Sequence, residues 1–598
     1  MSEIKQVPIR AEIPTELTWD LTTIFASDVE YQAAYETAEK LVKSIKKTEF
    51  ADAKTLLKSV TSILAASRLV EKLAVYAQLY NDQDTSNSRS QTRLERTETL
   101  LTKFSEQVAW FEPAVLQITT NQMATFYQVE PQLDNYHRFF DIIFEKRNHI
   151  LSPEVEAILA SVGDIFDASA KTFDILDDTD LKFPVVTNDQ GEKVQLSQGV
   201  YSILLESKKR DVRQEAFEKL YSVYQQFQHT LATTLSTTTK GHNINAKLRH
   251  YETALEAALD ENEIPVTVCQ TLIEQVNKHL DLLHRYVGLR KKILAVPELH
   301  MYDLYTPLLD TTSPKITFDK AKEISLKALS VMGPDYLQHV EEEFEQRWID
   351  VMENQFKRSG GYSSGTYDTN PYILLNWQDN LDNLYTLVHE TGHSMHSYYS
   401  HHNQPYQYGD YSIFVAEIAS TTNENLLTDY LLEQFKDDKN MQKYILNYYL
   451  DSFKGTVYRQ TQFAEFEALI HQADANGQPL TADYMNQQYL KINQKYYGDN
   501  VVSDPQISLE WSRIPHFYYD FYVYQYATGF AAATTLAENI QQGPAGLTKY
   551  LNFLKAGSSD QPIKVMQQTG IDMTNAEYLE QAFSIFNQRL DQFEQLFA

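Results

Sequence analysis

Residues 379–393, which read DNLDNLYTLVHETGH, decide the fold of this chain. Leu381, Leu384 and Val388 recur at the spacing of one face of an α-helix. Asp379 stands just before this pattern, where an N-cap residue accepts hydrogen bonds from the first free backbone N–H groups. The stretch therefore predicts a helix whose apolar face packs into the interior and whose last turns carry an HExxH motif.

The HExxH motif consists of His389, Glu390 and His393. On a helix, residues four apart lie on the same side about 6 Å apart, so both imidazoles can reach one zinc ion. Glu390 is then the neighbouring carboxylate that accepts a proton from water at the metal. The alternative is a surface helix that carries two histidines by chance, and the apolar face behind the motif argues against it.

A site with two histidines needs a third ligand, and the spacing excludes one class of site. A metzincin would place a third histidine ten residues after the first, where this chain has Tyr399. His396 is the nearest spare imidazole, but the helix rises about 10 Å between His389 and His396, which is too far for both to bind one ion. We therefore expect His396 to lie beside the site and not on the metal.

A carboxylate from another helix is a better third ligand. Residues 411–432 predict an amphipathic helix, and Glu417, Ser420 and Glu424 lie on a face other than the apolar one. Buried carboxylates need a partner, and a zinc ion is one. We predict Glu417 as the third zinc ligand and Glu424 as a residue that orients the ligands from behind. Two solvated acids on an exposed face are the alternative.

Composition excludes several classes of function. The 598 residues include 52 Lys+Arg and 81 Asp+Glu, which gives a net charge of −29. This charge repels nucleic-acid phosphates and anionic lipids, so we expect neither nucleic acid nor membrane as a partner. Cys269 is the single cysteine, no apolar stretch is long enough for a membrane span, and residues 1–8 lack the apolar core of a signal peptide. We predict a cytoplasmic protein whose oligomeric state the sequence does not reveal.

The chain is organised as long helices with few strands, as 19 Gly and 18 Pro suggest. Leu69, Leu73, Tyr76 and Tyr80 form one helical stripe within the first 180 residues. Residues 183–187 and 194–196 predict two short strands around an Asn-Asp-Gln-Gly turn, and we place a domain boundary there. The predicted domains are an N-terminal helical domain, 1–182, and a catalytic domain with small β elements, 183–598.

Two further segments, 301–305 and 371–376, also predict strands. Gly360, Gly361 and Gly365 precede the second segment. They predict either a plain turn or a close-approach turn beside an edge strand at 372–376, which could hold an extended peptide by backbone hydrogen bonds.

The sequence resembles the oligoendopeptidase F family of the thimet oligopeptidase-like zinc metallopeptidases. The resemblance starts from HETGH at 389–393 and FVAEIASTTNE at 414–424 and extends across most of the chain. Other matching stretches are WDL at 19–21, MYDLY at 301–305, KRSGGY at 357–362, the tyrosine-rich stretch after His516 and LKAGSS at 554–559. The resemblance implies a mainly α, bilobed metallopeptidase fold with a deep substrate channel and a small β-sheet beside the HExxH zinc helix.

The resemblance also implies roles for particular residues. One zinc ion per chain would be bound by His389, His393 and Glu417, with Glu390 as the general base. In the family, a histidine and one or two tyrosines near the C-terminal side stabilise the oxyanion and position the substrate. The matching residues are His516, Tyr526 and, third, Tyr519, although the spacing leaves the choice open among Tyr519, Tyr522, Tyr524 and Tyr526.

We therefore expect a zinc-dependent endopeptidase that hydrolyses internal bonds of short oligopeptides and leaves folded proteins intact. A zinc aminopeptidase would share the two histidines and a glutamate, but its glutamate normally lies closer to the second histidine than Glu417 does. A non-catalytic, helical peptide-binding protein is the other alternative. Cleavage of an N-terminally blocked peptide distinguishes an endopeptidase from an aminopeptidase. Metal analysis with a fluorogenic peptide assay distinguishes both enzymes from a non-catalytic binding protein.

Overall fold

The structure, a computed structural model, describes residues 7–309 and 314–597 and is mainly α-helical. Residues 1–6, to which most of the signal-peptide prediction refers, lie outside the described part. The helices are α1 (Asp28–Ser44), α2 (Ala53–Asp82), α3 (Ser88–Val108), α4 (Phe111–Leu116), α5 (Thr120–Val129), α6 (His137–Glu145), α7 (Pro153–Ser161), α8 (Gly163–Ile175), α9 (Gln198–Leu205), α10 (Arg210–Leu248), α11 (Ala254–Asp260), α12 (Val266–Lys278), α13 (Leu280–Ile293), α14 (Phe318–Ala328), α15 (Gly333–Glu345), α16 (Leu381–Asn403), α17 (Ile413–Gln434), α18 (Lys439–Phe453), α19 (Arg459–Ala475), α20 (Ala482–Tyr497), α21 (Tyr524–Gln541), α22 (Pro544–Leu554), α23 (Pro562–Gln568) and α24 (Glu577–Gln595). Among the described residues, no helix is both long enough and apolar enough to cross a bilayer.

The strands are short and form small sheets. They are β1 (Val185–Thr187), β2 (Lys193–Gln195), β3 (Leu299–His300), β4 (Ile349–Asp350), β5 (Tyr362–Ser364), β6 (Tyr372–Leu374) and β7 (Val501–Val502). β1 and β2 pair antiparallel with Val186 opposite Val194, β3 pairs parallel with β7, and the third sheet has the order β4-β6-β5. In that sheet β6 is parallel to β4 and antiparallel to β5, so β5 is an edge strand and β6 is central.

Three of the strand predictions can be compared with this topology. The hairpin at 183–196 is confirmed, and the Asn188 side chain closes its turn by accepting hydrogen bonds from the backbone N–H groups of Gln190 and Glu192. The strand at 371–376 is confirmed as β6, but it is not the edge strand, because β4 covers its second side. The edge that a peptide could join belongs to β5.

The strand predicted at 301–305 is wrong. Residues Met301–Asp303 form a 3₁₀-helix that follows directly after β3. Asp303 explains the difference, because its buried carboxylate accepts a hydrogen bond from the backbone N–H of His300 and binds the guanidinium groups of Arg210 and Arg213. A carboxylate held in this way fixes a turn where the alternating sequence suggested an extended segment.

The described chain packs as two compact units that alternate along the sequence. Of the described residues, unit 1 comprises 7–148, 314–430 and 536–570, and unit 2 comprises 149–309, 431–535 and 571–597. Within unit 1, α16 packs against α14, α15, α22 and β5. Within unit 2, α10 packs against α8, α9, α19 and α20. The two units are defined by packing and do not test the domain boundary near residue 183. The domains 1–182 and 183–598 therefore stay a prediction.

Lys357 fixes the sheet that lies beside α16. Its side chain is fully buried, and its Nζ donates hydrogen bonds to the backbone carbonyls of Asp350, Met352 and Leu375 at 3.1, 2.7 and 2.5 Å. The Asp350 carboxylate lies 2.7 Å from the same Nζ and also binds Arg10. Because a buried ammonium group needs every donor satisfied, this lysine ties β4 to the end of β6 at one position.

Candidate metal centre

Helix α16 presents the two histidines of the HExxH motif on one side. Asn380 is its N-cap, since its side chain accepts a hydrogen bond from the Asn383 backbone N–H at 2.8 Å. The prediction of Asp379 as the cap is therefore wrong by one residue; Asp379 accepts from the Trp377 indole N–H instead. With the apolar face buried as predicted, His389 Nε2 and His393 Nε2 lie 3.1 Å apart.

Helix α17 brings Glu417 to the same point. Its Oε2 lies 3.4 Å from His389 Nε2 and 3.6 Å from His393 Nε2. A four-coordinate zinc ion with bonds of about 2.0–2.2 Å holds its ligand atoms about 3.4 Å apart. The three side chains therefore fit a shared divalent ion and leave room for a fourth ligand.

Gly392 allows the two helices to approach closely enough for this convergence. A Cβ atom at Gly392 would lie 2.5 Å from Ser420 Cα and 2.8 Å from the carbonyl oxygen of Ala419. These neighbours are backbone atoms, so no side-chain rotation could relieve the overlap. The glycine inside the motif is thus a packing requirement that places Glu417 next to the histidines.

A buried hydrogen-bond network holds α17 in this position. Asn423 Nδ2 donates to the Val388 carbonyl at 3.1 Å, and its Oδ1 accepts from the Tyr336 hydroxyl at 3.2 Å. Asn423 and Tyr336 are fully buried. Because an unpaired buried amide is costly, the network favours one register of α17 along α16.

Glu424 contacts the rear nitrogen of a histidine. Its Oε1 lies 2.5 Å from His389 Nδ1, so Nε2 of the same ring is directed towards Glu417 and His393. Burial opposes charge on this ring, yet Glu417 and Glu424 together raise the pKa of His389 well above its usual value. The carboxylates thus create a negative field at the point where the three ligand atoms meet, which favours a cation there.

Glu390 lies in the same motif but points to the sheet. Its side chain is buried, and burial raises the pKa of its carboxyl group, against the opposing effect of the two histidines and of a backbone hydrogen bond from Ser363. Ser363 is in the middle of β5. A carboxylate with a raised pKa exchanges protons more readily near neutral pH than an ordinary glutamate does.

His396 is not part of the converging set. Its ring is buried and stacks on Tyr411 with centroids 3.7 Å apart and an angle of 5° between the planes, while Phe553 packs on it as well. Burial lowers the pKa of His396 to about 3, so the ring is neutral. In the structure it is a packing residue of the helix that carries the motif.

The C-terminal histidine and tyrosines lie in unit 2, where they contact one another. The His516 ring centroid is 5.5 Å from that of Tyr519, 6.4 Å from Tyr522 and 6.0 Å from Tyr526. Burial lowers the pKa of His516, and 54% of Tyr519 is exposed. The neutral imidazole and the exposed phenol can donate hydrogen bonds to a ligand, and the roles of these residues in a reaction stay predictions.

Sequence reasoning missed the residues that hold the three converging side chains in place. Gly392 could have been noticed in the sequence, because a glycine inside a helix lowers helix stability by about 1 kcal/mol relative to alanine. Such a glycine usually indicates close packing against a neighbour. Asn423 was visible only as one polar residue among several on α17. Tyr336 gave no signal, since it lies on α15, far away in the sequence.

We expect Gly392→Ala to separate α16 from α17, because the added methyl group overlaps backbone atoms. The free energy of unfolding should fall by about 1–3 kcal/mol, as in other overpacked cores, and Co²⁺ binding should weaken. Urea denaturation and Co²⁺ titration measure the two effects. Gly199→Ala is the matched control, because a Cβ at that helical glycine meets no atom within 4 Å. Binding of as many tight equivalents of Co²⁺ by Gly392→Ala as by the wild type would show that close approach is not required.

Comparisons with known proteins match this chain along nearly its whole length. The sequence pattern of Peptidase family M3 matches residues 203–585, and the pattern described as Oligopeptidase F matches residues 115–183. Group B oligopeptidase PepB of Streptococcus agalactiae is 49% identical, and the match covers 98% of each chain.

Solved structures match equally broadly. A chain from Chlamydophila abortus has a TM-score of 0.91 at 35% identity and covers 99% of this chain and 100% of that one. Oligoendopeptidase-F from Enterococcus faecium has a TM-score of 0.74 at 46% identity and covers 95% of this chain and 98% of that one. These neighbours confirm the mainly α metallopeptidase fold that the sequence predicted.

Proposed function

This chain belongs to peptidase family M3 and to its oligoendopeptidase F branch, and from that membership we propose that it is a zinc-dependent endopeptidase. Its substrates are short oligopeptides, which it hydrolyses at internal bonds. The observation that carries the proposal is the convergence of His389, His393 and Glu417 with the buried carboxyl of Glu390 at the next position of the motif. We propose one zinc ion held by these three ligands.

The proposed mechanism assigns proton transfer to Glu390. Zinc, when bound, supplies a Lewis acid that polarises the scissile carbonyl and acidifies water. Glu390 accepts the proton of the attacking water and passes it to the leaving amine, and its raised pKa suits both steps. Glu424 holds the His389 ring in the orientation that binds metal. His516 and Tyr526, with Tyr519 as the third candidate, would donate hydrogen bonds to the oxyanion.

We propose that a substrate peptide binds along the free edge of β5. Ser363 pairs with Ile373, and the backbone N–H of Ile373 donates to the carbonyl of Trp348 on the β4 side. The backbone groups of Ser363 therefore point away from β6, towards the open edge of β5. An extended peptide added to this edge would pair through its own backbone and pass beside the Glu390 carboxyl. The arrangement supports recognition by backbone hydrogen bonds close to the proposed general base.

Product analysis of one N-acetylated peptide tests the proposal. We expect internal cleavage, detected by mass spectrometry, together with bound zinc in the purified protein. Release of single N-terminal residues from an unblocked peptide, with no cut in the blocked one, would identify an aminopeptidase. Bound peptide without any cleavage would identify a non-catalytic peptide-binding protein.

We expect cleavage to depend on substrate length. Peptides of about five to twenty residues should be cut, because β5 offers only three residues for pairing and the family resemblance implies a confined channel. One scissile sequence, embedded in peptides of increasing length and in an unfolded casein-like protein, measures the dependence. Equal rates for the long chain and the short peptides would mean that the site is open, even if zinc performs the chemistry.

We also propose that the protein works in the cytoplasm. The support is Cys269, which is buried and unpaired, as expected for a reducing compartment. Cell fractionation followed by an activity assay tests this location.

A further inference from the structure

Unit 2 contains a second group of side chains of the types that bind metal ions in proteins. His242 lies on α10, His471 on α19, and Asp520 in the segment before α21. His242 Nδ1 lies 3.2 Å from His471 Nε2 and 3.1 Å from Asp520 Oδ1, and all three ligand atoms fall within 4.8 Å of one another. We propose that these residues form a second divalent-metal site of the zinc type, separate from the HExxH motif.

The hydrogen bond behind His471 prepares its ring for a metal. His471 Nδ1 lies 2.9 Å from the carbonyl oxygen of Glu467, and a carbonyl can only accept, so Nδ1 carries the proton. The Nε2 lone pair of His471 therefore points into the group. A carbonyl that fixes the tautomer of a histidine ligand is the usual support behind protein metal ligands. Without a cation, one proton on His242 would have to serve both His471 and Asp520.

The distances between the ligand atoms of this group are similar to those between the ligand atoms of the HExxH site. There the two imidazole nitrogens are 3.1 Å apart and the nearer carboxylate oxygen is 3.4 Å from a nitrogen. In the second group the corresponding values are 3.2 and 3.1 Å. A tetrahedral ion with bonds of about 2.1 Å requires separations near 3.4 Å, so small adjustments suffice for both groups.

The carboxylates of this region lack a cationic partner. His242 Nδ1 is 3.1 Å from the buried Asp520 Oδ1, but the two atoms do not form a well-aligned hydrogen bond, and the buried Glu467 Oε2 has no hydrogen bond. Among the described residues, neither carboxylate forms an ion pair with a lysine or arginine. A bound divalent ion would supply the missing positive charge.

The donor atoms of the group are two imidazole nitrogens and one carboxylate oxygen. Two imidazoles and one carboxylate favour zinc, cobalt or nickel over magnesium and calcium, which prefer oxygen ligands alone.

A cavity borders one member of the group, His471. It has a volume of about 1260 Å³ and is lined in part by Asn243, His471 and Phe521. A metal ion could enter through this space, and a water molecule could complete the coordination as a fourth ligand. The site would thus have three protein ligands and one open position.

The test uses a chain in which the HExxH site has been removed, so it does not depend on the proposed activity. The His389→Ala/His393→Ala double variant is stripped with EDTA and titrated with Co²⁺. We expect one equivalent to bind with the visible absorption of four-coordinate Co²⁺, and we expect Co²⁺ to raise the Tm of this variant.

Asp520→Asn and His242→Gln in the same background test the ligands separately, so the conclusion does not depend on one variant folding. Each substitution should weaken Co²⁺ binding at least about 10-fold. Removing a residue that only orients a metal ligand already has an effect of this size. His402→Ala removes an exposed histidine and is the matched control, which should leave binding unchanged. Absence of saturable binding in the double variant, or binding unaffected by both ligand substitutions, would overturn the proposal.

Discussion

Glu390→Gln is expected to lower turnover of an internally quenched peptide by about 10²- to 10⁴-fold while zinc remains bound. Glutamine preserves the size of the side chain but cannot accept a proton from water. The three proposed metal ligands are unchanged, so metal content should equal that of the wild type. Stopped assays for kcat and metal analysis of the same preparation measure the two quantities.

Glu433→Gln is the matched control, because it makes the same change at an exposed position of α17. It should keep wild-type turnover. If Glu390→Gln retains more than a few per cent of wild-type kcat, Glu390 is not the general base, and another group must accept the proton.

Glu417→Ala is expected to release one equivalent of zinc and to abolish turnover, whereas His396→Ala should retain the full metal content. Glu417 Oε2 lies within 3.6 Å of both histidine nitrogens, while His396 is stacked on Tyr411 inside the core. Removing a protein ligand leaves two, which is too few for a stable zinc site.

Zinc content and kcat of the two variants, purified in parallel, test this prediction. His396→Ala removes a buried ring and should lower the free energy of unfolding without loss of metal. The opposite pattern, with zinc lost from His396→Ala and kept by Glu417→Ala, would contradict the assignment of the ligands.

The local part of the site could be read from the sequence because helical geometry is regular. Four-residue spacing brings His389 and His393 to one side of α16, and the rise per residue keeps His396 away from them. Glu417 could be nominated from the pattern on its own helix, but its distance to the histidines depends on how two helices pack.

The rest depended on contacts between residues far apart in the sequence. The Tyr336–Asn423–Val388 network fixes the packing of α17, and no local pattern reveals it. The two-residue strand β4 makes β6 central, and so short a strand has no readable alternation. Asp303 has partners on α10 about 90 residues away, which explains why the segment at 301–305 was mistaken for a strand.

The second group of ligands was missed for the same reason. His242, His471 and Asp520 come from three separate segments, none of which carries a metal-binding motif. Only the packing of α10 against α19 brings the two histidines together.

Zinc-dependent recovery of activity is the most direct test of the central claim, that His389, His393 and Glu417 hold the metal that makes this peptidase active. The protein is stripped with EDTA, and cleavage of a blocked fluorogenic peptide is followed as zinc is added back. We predict no turnover in the stripped protein and a return to the wild-type rate as zinc is restored, with no recovery in Glu417→Ala. A stripped, metal-free protein that cleaves the peptide at the wild-type rate would contradict the account.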